Sequence, residues 1–296
     1  MRIVSLVPSA TEILFALGLG SEVIAVTHEC DFPPEALTLP KVTRDSLPRD
    51  LTAGQIDAAV RARTDQGESI YELDVEALRS LRPDLIVTQA LCAVCAVSYD
   101  DVRAIADQLD SRPRVISLDP RTLGEVLGDI RTLAEATGTR DAGVDLIADA
   151  AARIDRVRLA VRDRPPLKAV ALEWLEPVYV AGHWTPQLIE YAGGIDMLGM
   201  AGEHSERRGW EQLAEAEPDV VVVMPCGYDA PRAYEEALKF SDRLASIGAG
   251  EIVAVDAAAY FSRPGPRLID GLELMANILH PEAFPNAPSE PLTVEL

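Results

Sequence analysis

"VEALRSLRPDLIVTQALC", residues 75–92, and "WEQLAEAEPDVVVVMPC", residues 210–226, follow one plan. Each opens as an amphipathic segment, breaks at Pro-Asp, runs through a short apolar stretch and ends at a cysteine. Proline interrupts a helix because it lacks an N–H and its ring clashes with the preceding turn. A short apolar run bounded by turn residues suits a strand buried on both faces, as in a parallel sheet. With Pro83 set against Pro218 the two runs align without a gap, and Cys226 falls opposite Leu91, one residue from Cys92. The chain is therefore predicted to contain two similar lobes.

Outward from these stretches the same alternation continues. "RIVSLV" reads as a strand and "PSATEILFALGLG" as a helix, with Ser9 and Glu12 as a capping box and Gly18 and Gly20 as the stop. "EVIAVT" is the next strand, "DFPPEALTLPKV" a Pro-rich excursion, and residues 50–66 a separate surface helix. A helix near 97–109 and the strand "RVISL" complete an α/β lobe over residues 1–121. From 122 to 164 the strand signal disappears. Leu123, Val126, Leu127, Ile130 and Leu133, then Ile147, Ile154, Val157 and Val161, recur at helical spacing, with Gly138 as a break. A helix over 140–162 would span roughly 35 Å and serve as a long backbone connector. The pattern restarts at 165–296 with "KAVALEW", "PVYVAG" and "TPQLIEYAGG", where Thr185 reads as cap and Pro186 as the first helical residue. The expected fold is α/β: two lobes with mainly parallel central sheets joined by one long helix.

Composition narrows the function classes. The 296 residues carry a formal net charge of −21, which opposes attraction to phosphate backbones and makes nucleic acid a poor partner. No apolar run approaches the roughly 20 residues of a membrane helix, so no direct membrane insertion is expected. The opening "MRIVSLVPSATE" lacks a charged and then apolar leader, so the chain as it stands is expected in the cytoplasm, or outside it if an export signal precedes this sequence. No G-x-S-x-G, Walker or dinucleotide fingerprint is present, and the chain is expected not to be an enzyme.

The four cysteines sharpen the question. In parallel α/β sheets ligands bind beyond the carboxyl ends of strands, where loops and free helix amides converge. Cys92 and Cys95 follow one such strand, Cys226 its counterpart, and His28 with Cys30 a third. A lone cysteine packs as a small hydrophobe. Four at strand ends raise three readings: a small-molecule cleft that they border, an intracellular zinc or iron–sulfur site with His28 or His183, or a C-x-x-C thiol oxidoreductase. On the first two, Cys92 and Cys226 would lie on opposite walls of one cleft. Polar and aromatic candidates gather at the same places: Glu173, Trp174 and Glu176; His183 and Trp184; Tyr260, Phe261 and Arg263. Trp174, Trp184 and Tyr260 would give flat apolar contact and Arg263 would meet a negative group. His204 and His280 read as surface or helix-end residues.

"IVSLVPSATEILFALGLGSEVIAVT", "LRPDLIVTQ", "PVYVAGHWTPQLIEYAGG" and "YFSRPGPRLIDGLELMANIL" together resemble the helical-backbone (class III) substrate-binding proteins of ABC importers, in the vitamin B12-binding branch with its iron-siderophore relatives. The resemblance covers nearly the whole chain. It implies two α/β lobes linked by one helix, a cobalamin-like or metal-chelate ligand held between them without chemistry, and an ABC permease as partner. By position it adds Pro8, Ser9 and Gln89 to the ligand contacts and includes residues 174–176 and 260–263. The cysteines, and a segment over about 44–70, are additional to that pattern.

Overall fold

Asp84 and Asp219, the residues after the two aligned prolines, make the same contacts in two different sheets. Asp84 Oδ2 accepts the Arg2 backbone N–H at 2.8 Å, and Asp219 Oδ2 accepts that of Lys168 at 2.8 Å. In return each aspartate donates its own backbone N–H to the carbonyl of that same residue, again at 2.8 Å. The residue before each proline, Arg82 or Glu217, lies in the left-handed region at φ 46°. The apolar runs become the inner strands Leu85–Thr88 and Val220–Val223. The Pro-Asp turn and the strand of the repeat read from sequence are thus reproduced in both units.

The computed structural model describes residues 1–48, 51–66, 69–89 and 99–295. It divides into two compact units, Met1–Pro120 with Leu127–Ile147, and Arg121–Val126 with Ala148–Leu296. One boundary falls between Pro120 and Arg121, and the other two fall inside the helices Leu123–Thr137 and Arg140–Val161, the two expected from the helical spacing. In the first unit four strands pair in parallel in the order Val23–Val26, Ile3–Ser5, Leu85–Thr88, Arg114–Ser117. Ile3 and Val87 face one buried cluster, while Val4 and Ile86 face another. Both faces are covered, which is why the run in sequence shows no polar alternation.

The second unit has a parallel centre to which antiparallel strands are added. Leu167–Leu175, Val220–Val223 and Glu251–Ala254 are parallel neighbours, and Gly194–Asp196 pairs in parallel with the start of Leu167–Leu175. Val178–Val180, Glu206–Arg207 and Leu292–Thr293 are added antiparallel. Val178–Val180 follows Leu167–Leu175 with no crossover helix between them, so antiparallel pairing is the only option left to it.

Smaller corrections concern helix starts. The helix Pro8–Ala16 is capped by the Val7 backbone without a side-chain hydrogen bond, so Ser9 is buried inside it and forms no capping box. Pro8 needs no N–H at the first helical position, and this lets the helix begin ahead of the serine. Likewise Trp184, not Thr185, precedes the helix Thr185–Tyr191. The surface segment forms Ala53–Thr64, capped by Thr52 and Gln55, beside the antiparallel pair Thr43–Asp45 and Tyr71–Leu73. The helix expected near 97–109 is described over Tyr99–Ala106. Among the described residues no helix is long and apolar enough to cross a membrane.

Candidate functional site

The site grows from the carboxyl ends of the strands of the second unit. Leu167–Leu175 runs past Val220–Val223, whose last residue pairs with Leu172, so Glu173 and Trp174 stand above the level at which that strand ends. The loop that follows Val223 bends back over them, and the Cys226 backbone N–H donates to the Glu173 carbonyl at 3.1 Å. Glu173 keeps some exposure as a residue, but its carboxyl group is enclosed and accepts a hydrogen bond from Ser205 Oγ. Burial pushes this carboxyl above the usual range for glutamate, and the Ser205 hydrogen bond only partly offsets it.

Ser205 belongs to the edge segment that enters Glu206–Arg207, and its neighbour His204 reaches the ring of His183, with His183 Nε2 at 3.2 Å from His204 Nδ1. The rings meet edge to face, with centroids 5.1 Å apart. His183 has φ 52°, in the left-handed region that few residues other than glycine adopt. Both its backbone groups are secured: its N–H donates to the Glu203 carbonyl at 2.6 Å and its carbonyl accepts from Gly202 N–H at 2.9 Å. Gly182 allows this close approach, since a Cβ there would lie 2.5 Å from the Glu203 oxygen. Burial, with the nearby His204 and Arg121, holds the His183 imidazole below its ordinary basicity.

Trp184 stacks at a tilt on His183, with centroids 5.5 Å apart, and donates its indole N–H to the Phe261 carbonyl at 2.8 Å. Next to Phe261, Ser262 Oγ accepts the Gly227 backbone N–H at 3.3 Å. The contacts close on themselves: Glu173, Ser205, His204, His183, Trp184, Phe261, Ser262, Gly227, Cys226 and back to Glu173. Trp174 and Tyr228 meet edge to face at 5.6 Å beside this circuit, and the Arg232 guanidinium covers the Tyr228 ring at 3.7 Å.

The structure therefore joins several of the residues singled out by sequence and reassigns others. Trp174 is half-buried and Cys226 exposed, so both can meet a ligand. Trp184 and Phe261, both members of the circuit, are 5% and 2% exposed, so their rings are taken up in packing, in place of the open ring face expected of Trp184. Tyr260 and Arg263 are half-buried and Glu176 is exposed, its carbonyl accepting the Trp174 indole N–H at 3.0 Å. In the first unit Ser9 and Gln89 are buried, Pro8 is half-buried, and His28 Nδ1 pairs with Thr43 Oγ1 at 2.8 Å.

The metal and redox readings of the cysteines fare differently. Cys30 is 1% exposed within the apolar cluster of the first unit, its Sγ 3.1 Å from Thr11 Oγ1 and 3.2 Å from Thr27 Oγ1. Burial raises its thiol above the ordinary range despite these hydroxyls, which disfavours the thiolate a metal needs. Among the described residues no group of three or more His, Cys, Asp or Glu is arranged to hold a metal ion. Cys30 is thus a core residue, and the zinc or iron–sulfur reading has no ligand set there. Cys92 and Cys95, and with them the expectation that Cys92 faces Cys226, lie outside the described residues.

Sequence reasoning missed His204, Ser205 and the depth of Glu173. Ser205 sits 32 positions from Glu173 and His204 21 from His183, so no local pattern announces either pairing. The only available signal was the polar run "GEHSERR" ahead of a helix.

A lobe with a long covered sheet, an aromatic and imidazole circuit at its strand ends and an internal counterpart elsewhere in the chain is a ligand-binding architecture. The chain belongs to the periplasmic binding protein family, whose pattern matches residues 3–251. It is 21% identical to the vitamin B12-binding protein of Vibrio cholerae over 94% of this chain and 88% of that relative. It is 24% identical to an uncharacterised ABC transporter substrate-binding lipoprotein of Bacillus subtilis, covering 96% of this chain and 81% of the other. Among solved structures, the periplasmic heme-binding protein of Roseiflexus sp. RS-1 matches with 27% identity, a TM-score of 0.69 and coverage of 95% and 98%. The Vibrio cholerae vitamin B12-binding protein matches with 22% identity, a TM-score of 0.68 and coverage of 94% and 96%.

Proposed function

We propose that this protein is a solute-binding component of an ABC importer and that its cargo is a corrinoid or a related metal tetrapyrrole, which it holds without chemical change and hands to a permease. The observation that carries the reading is the circuit at the strand ends of the second unit, with half-buried Trp174 beside it. An aromatic edge and polar groups held rigid by their neighbours suit a large flat ligand with a polar rim. Relatives named for vitamin B12 and heme support this cargo class. Arg263, half-buried on the segment after Tyr260, suits a carboxylate or phosphate on the cargo.

Titration of the protein with aquocobalamin and, separately, with ferric heme tests the proposal. Quenching of tryptophan fluorescence with saturation near one ligand per chain is expected for at least one of them. Trp174→Ala should weaken that binding by about 1–2 kcal/mol, the worth of an aromatic contact with its buried area. If neither compound binds, the cargo assignment is wrong.

A further inference from the structure

We infer that Ser289, on the tail that follows the last helix, is a positioning residue for the cargo site: it holds Tyr260 and, through Tyr260, the segment 257–263 that supplies Phe261 and Ser262 to the circuit. The inference rests on the reading of that circuit as the cargo site and adds the brace that keeps one side of it in place.

The tail crosses the second unit from one end of its sheet to the other. It leaves Leu268–Leu279 at His280, whose Nε2–H donates to the Gly193 carbonyl at 3.0 Å, beside the strand Gly194–Asp196 that pairs with the first residues of Leu167–Leu175. There the chain turns back: the Ala283 and Phe284 N–H groups both donate to the His280 carbonyl at 3.0 Å, and Asn277 Nδ2 donates to the Phe284 carbonyl at 3.0 Å. The tail ends antiparallel to Glu251–Ala254, with Leu292 opposite Ala254 and Thr293 opposite Val253. Ser289 therefore stands at the carboxyl end of that strand, where the segment 257–263 begins. Val294 fixes the register, being 5% exposed in the apolar cluster with its N–H donating to the Ile252 carbonyl at 2.8 Å. Pro281, Pro285, Pro288 and Pro291 restrict the backbone along the way, so the tail has less freedom to lose on docking.

The contact with Tyr260 goes beyond what covering a sheet edge requires. Residues 292–294 close the edge of Glu251–Ala254 by themselves. Ser289 lies outside these paired residues, and its hydroxyl hydrogen-bonds that of Tyr260, both residues being half-buried. Tyr260 ends the helix Ala257–Tyr260, a single turn too short to hold itself, which Asp256 caps through Oδ1 at 2.7 Å from the Ala259 N–H. Gly271, lacking a Cβ, lets the last helix press against the Tyr260 carbonyl. The backbone is thus fixed by the helix and the side chain by the tail. The next two residues belong to the circuit, since the Phe261 carbonyl accepts the Trp184 indole N–H and Ser262 Oγ accepts the Gly227 N–H. Burial pushes the Tyr260 hydroxyl above its ordinary range, so the contact joins two neutral hydroxyls and phenylalanine removes it without removing a charge.

The experiment uses the full chain, with amide hydrogen exchange in the absence of cargo and titration with ferric heme and aquocobalamin. Ser289→Ala should speed exchange over 257–263 while leaving Val220–Val223 as in wild type. It should also weaken binding of whichever probe wild type takes up by about 3–10-fold, the worth of one net hydrogen bond. Tyr260→Phe should do the same, and the double variant should bind no more weakly than the weaker single one, because both changes act through one contact. Ser289→Thr keeps the hydroxyl and should bind as wild type does. Unchanged affinity in Ser289→Ala, even with a lower urea midpoint, makes the tail a stabilising strand alone and overturns the inference. Unchanged exchange over 257–263 or additive losses in the double variant overturn it as well, since Ser289 would then not act through Tyr260. Each of these results leaves the cargo class standing. If wild type binds neither probe, the cargo class fails and the inference with it.

Discussion

The indole N–H of Trp184 donates to the carbonyl of Phe261 across 2.8 Å, and the two residues are 77 positions apart in the chain. Both are buried, so this one hydrogen bond ties the start of the helix Thr185–Tyr191 to the segment that precedes Leu268–Leu279. Trp184→Phe removes the donor and leaves a buried carbonyl short of a partner. A loss of about 2 kcal/mol is expected from the unmet acceptor and the smaller ring together. A lower urea midpoint at unchanged denaturant slope would show it, and an unchanged midpoint would mean that the carbonyl finds water.

Glu173 supplies a pH dependence whose sign is fixed. Its folded carboxyl is raised above its unfolded value by burial, so the folded state holds a proton that the unfolded state has released between the two values. Its contribution is full below the ordinary glutamate range and is lost as pH rises through the folded value. Glu173→Gln keeps an acceptor for Ser205 Oγ and carries no charge at any pH. The difference in stability between variant and wild type should therefore grow in favour of the variant as pH is raised above the ordinary glutamate range. Parallel curves from pH 4 to pH 9 would contradict the assignment.

Gly182 is the point where the two imidazole-bearing segments touch. A Cβ at this position would lie 2.5 Å from Glu203 O, 2.6 Å from His204 C and 2.7 Å from Ser205 N, all of them backbone atoms that cannot rotate away. Gly182→Ala is expected to displace the segment at 203–205 and to break both the His183–His204 contact and the Ser205–Glu173 hydrogen bond. The variant should lose about 2–3 kcal/mol of stability and bind cargo less well, as overpacking and a lost polar contact together imply. The pair of measurements matters, since a fall in stability with full cargo affinity would detach the circuit from binding.

The thiols should separate by reactivity. Cys226 is exposed, whereas Cys30 is enclosed and its thiol is raised above the ordinary range by burial. In a Cys92→Ser/Cys95→Ser background the folded chain should react with a thiol reagent at a single position, Cys226, and at Cys30 only after denaturation. Prompt reaction at both positions in the folded protein would remove Cys30 from the core.

Arg153 joins the helix Arg140–Val161 to Leu268–Leu279 through Asp270 Oδ1 at 2.5 Å and Glu273 Oε2 at 2.7 Å. Burial alone would raise the Glu273 carboxyl, but Arg153 and Arg156 overcome it and hold the group below the usual range. A depressed carboxyl stabilises the fold above its unfolded value and loses that contribution as pH falls through the folded one. Arg153→Met should cost about 2 kcal/mol at pH 7, less than a fully enclosed pair because the partners keep some solvent. The cost should shrink in acid, below the ordinary glutamate range. An equal cost at pH 3 and pH 7 would assign the effect to packing instead.

The sequence by itself determined what is local and periodic. Pro83 and Pro218 mark helix ends, the short apolar runs after them fit strands covered on both faces, and the helical spacing after Leu123 places two long helices. Those signals depend on backbone sterics and on the period of burial, and they act within a few residues. The equivalence of Asp84 and Asp219 follows from them, because identical local geometry sets identical strand-end contacts. Tertiary structure decided the rest. Trp184 and Phe261 look like ligand contacts in sequence, yet their rings are spent on packing. Cys30 follows a strand as a metal ligand would, yet lies between two threonine hydroxyls in an apolar cluster. His204 carries no periodic signal, and it meets His183 only because Glu206–Arg207 adds antiparallel to Val178–Val180 at the sheet edge. Side-chain roles of this kind depend on which distant segments an edge strand brings together, and the free energy that selects the partner comes from burial summed over the whole unit and not from the residues that meet.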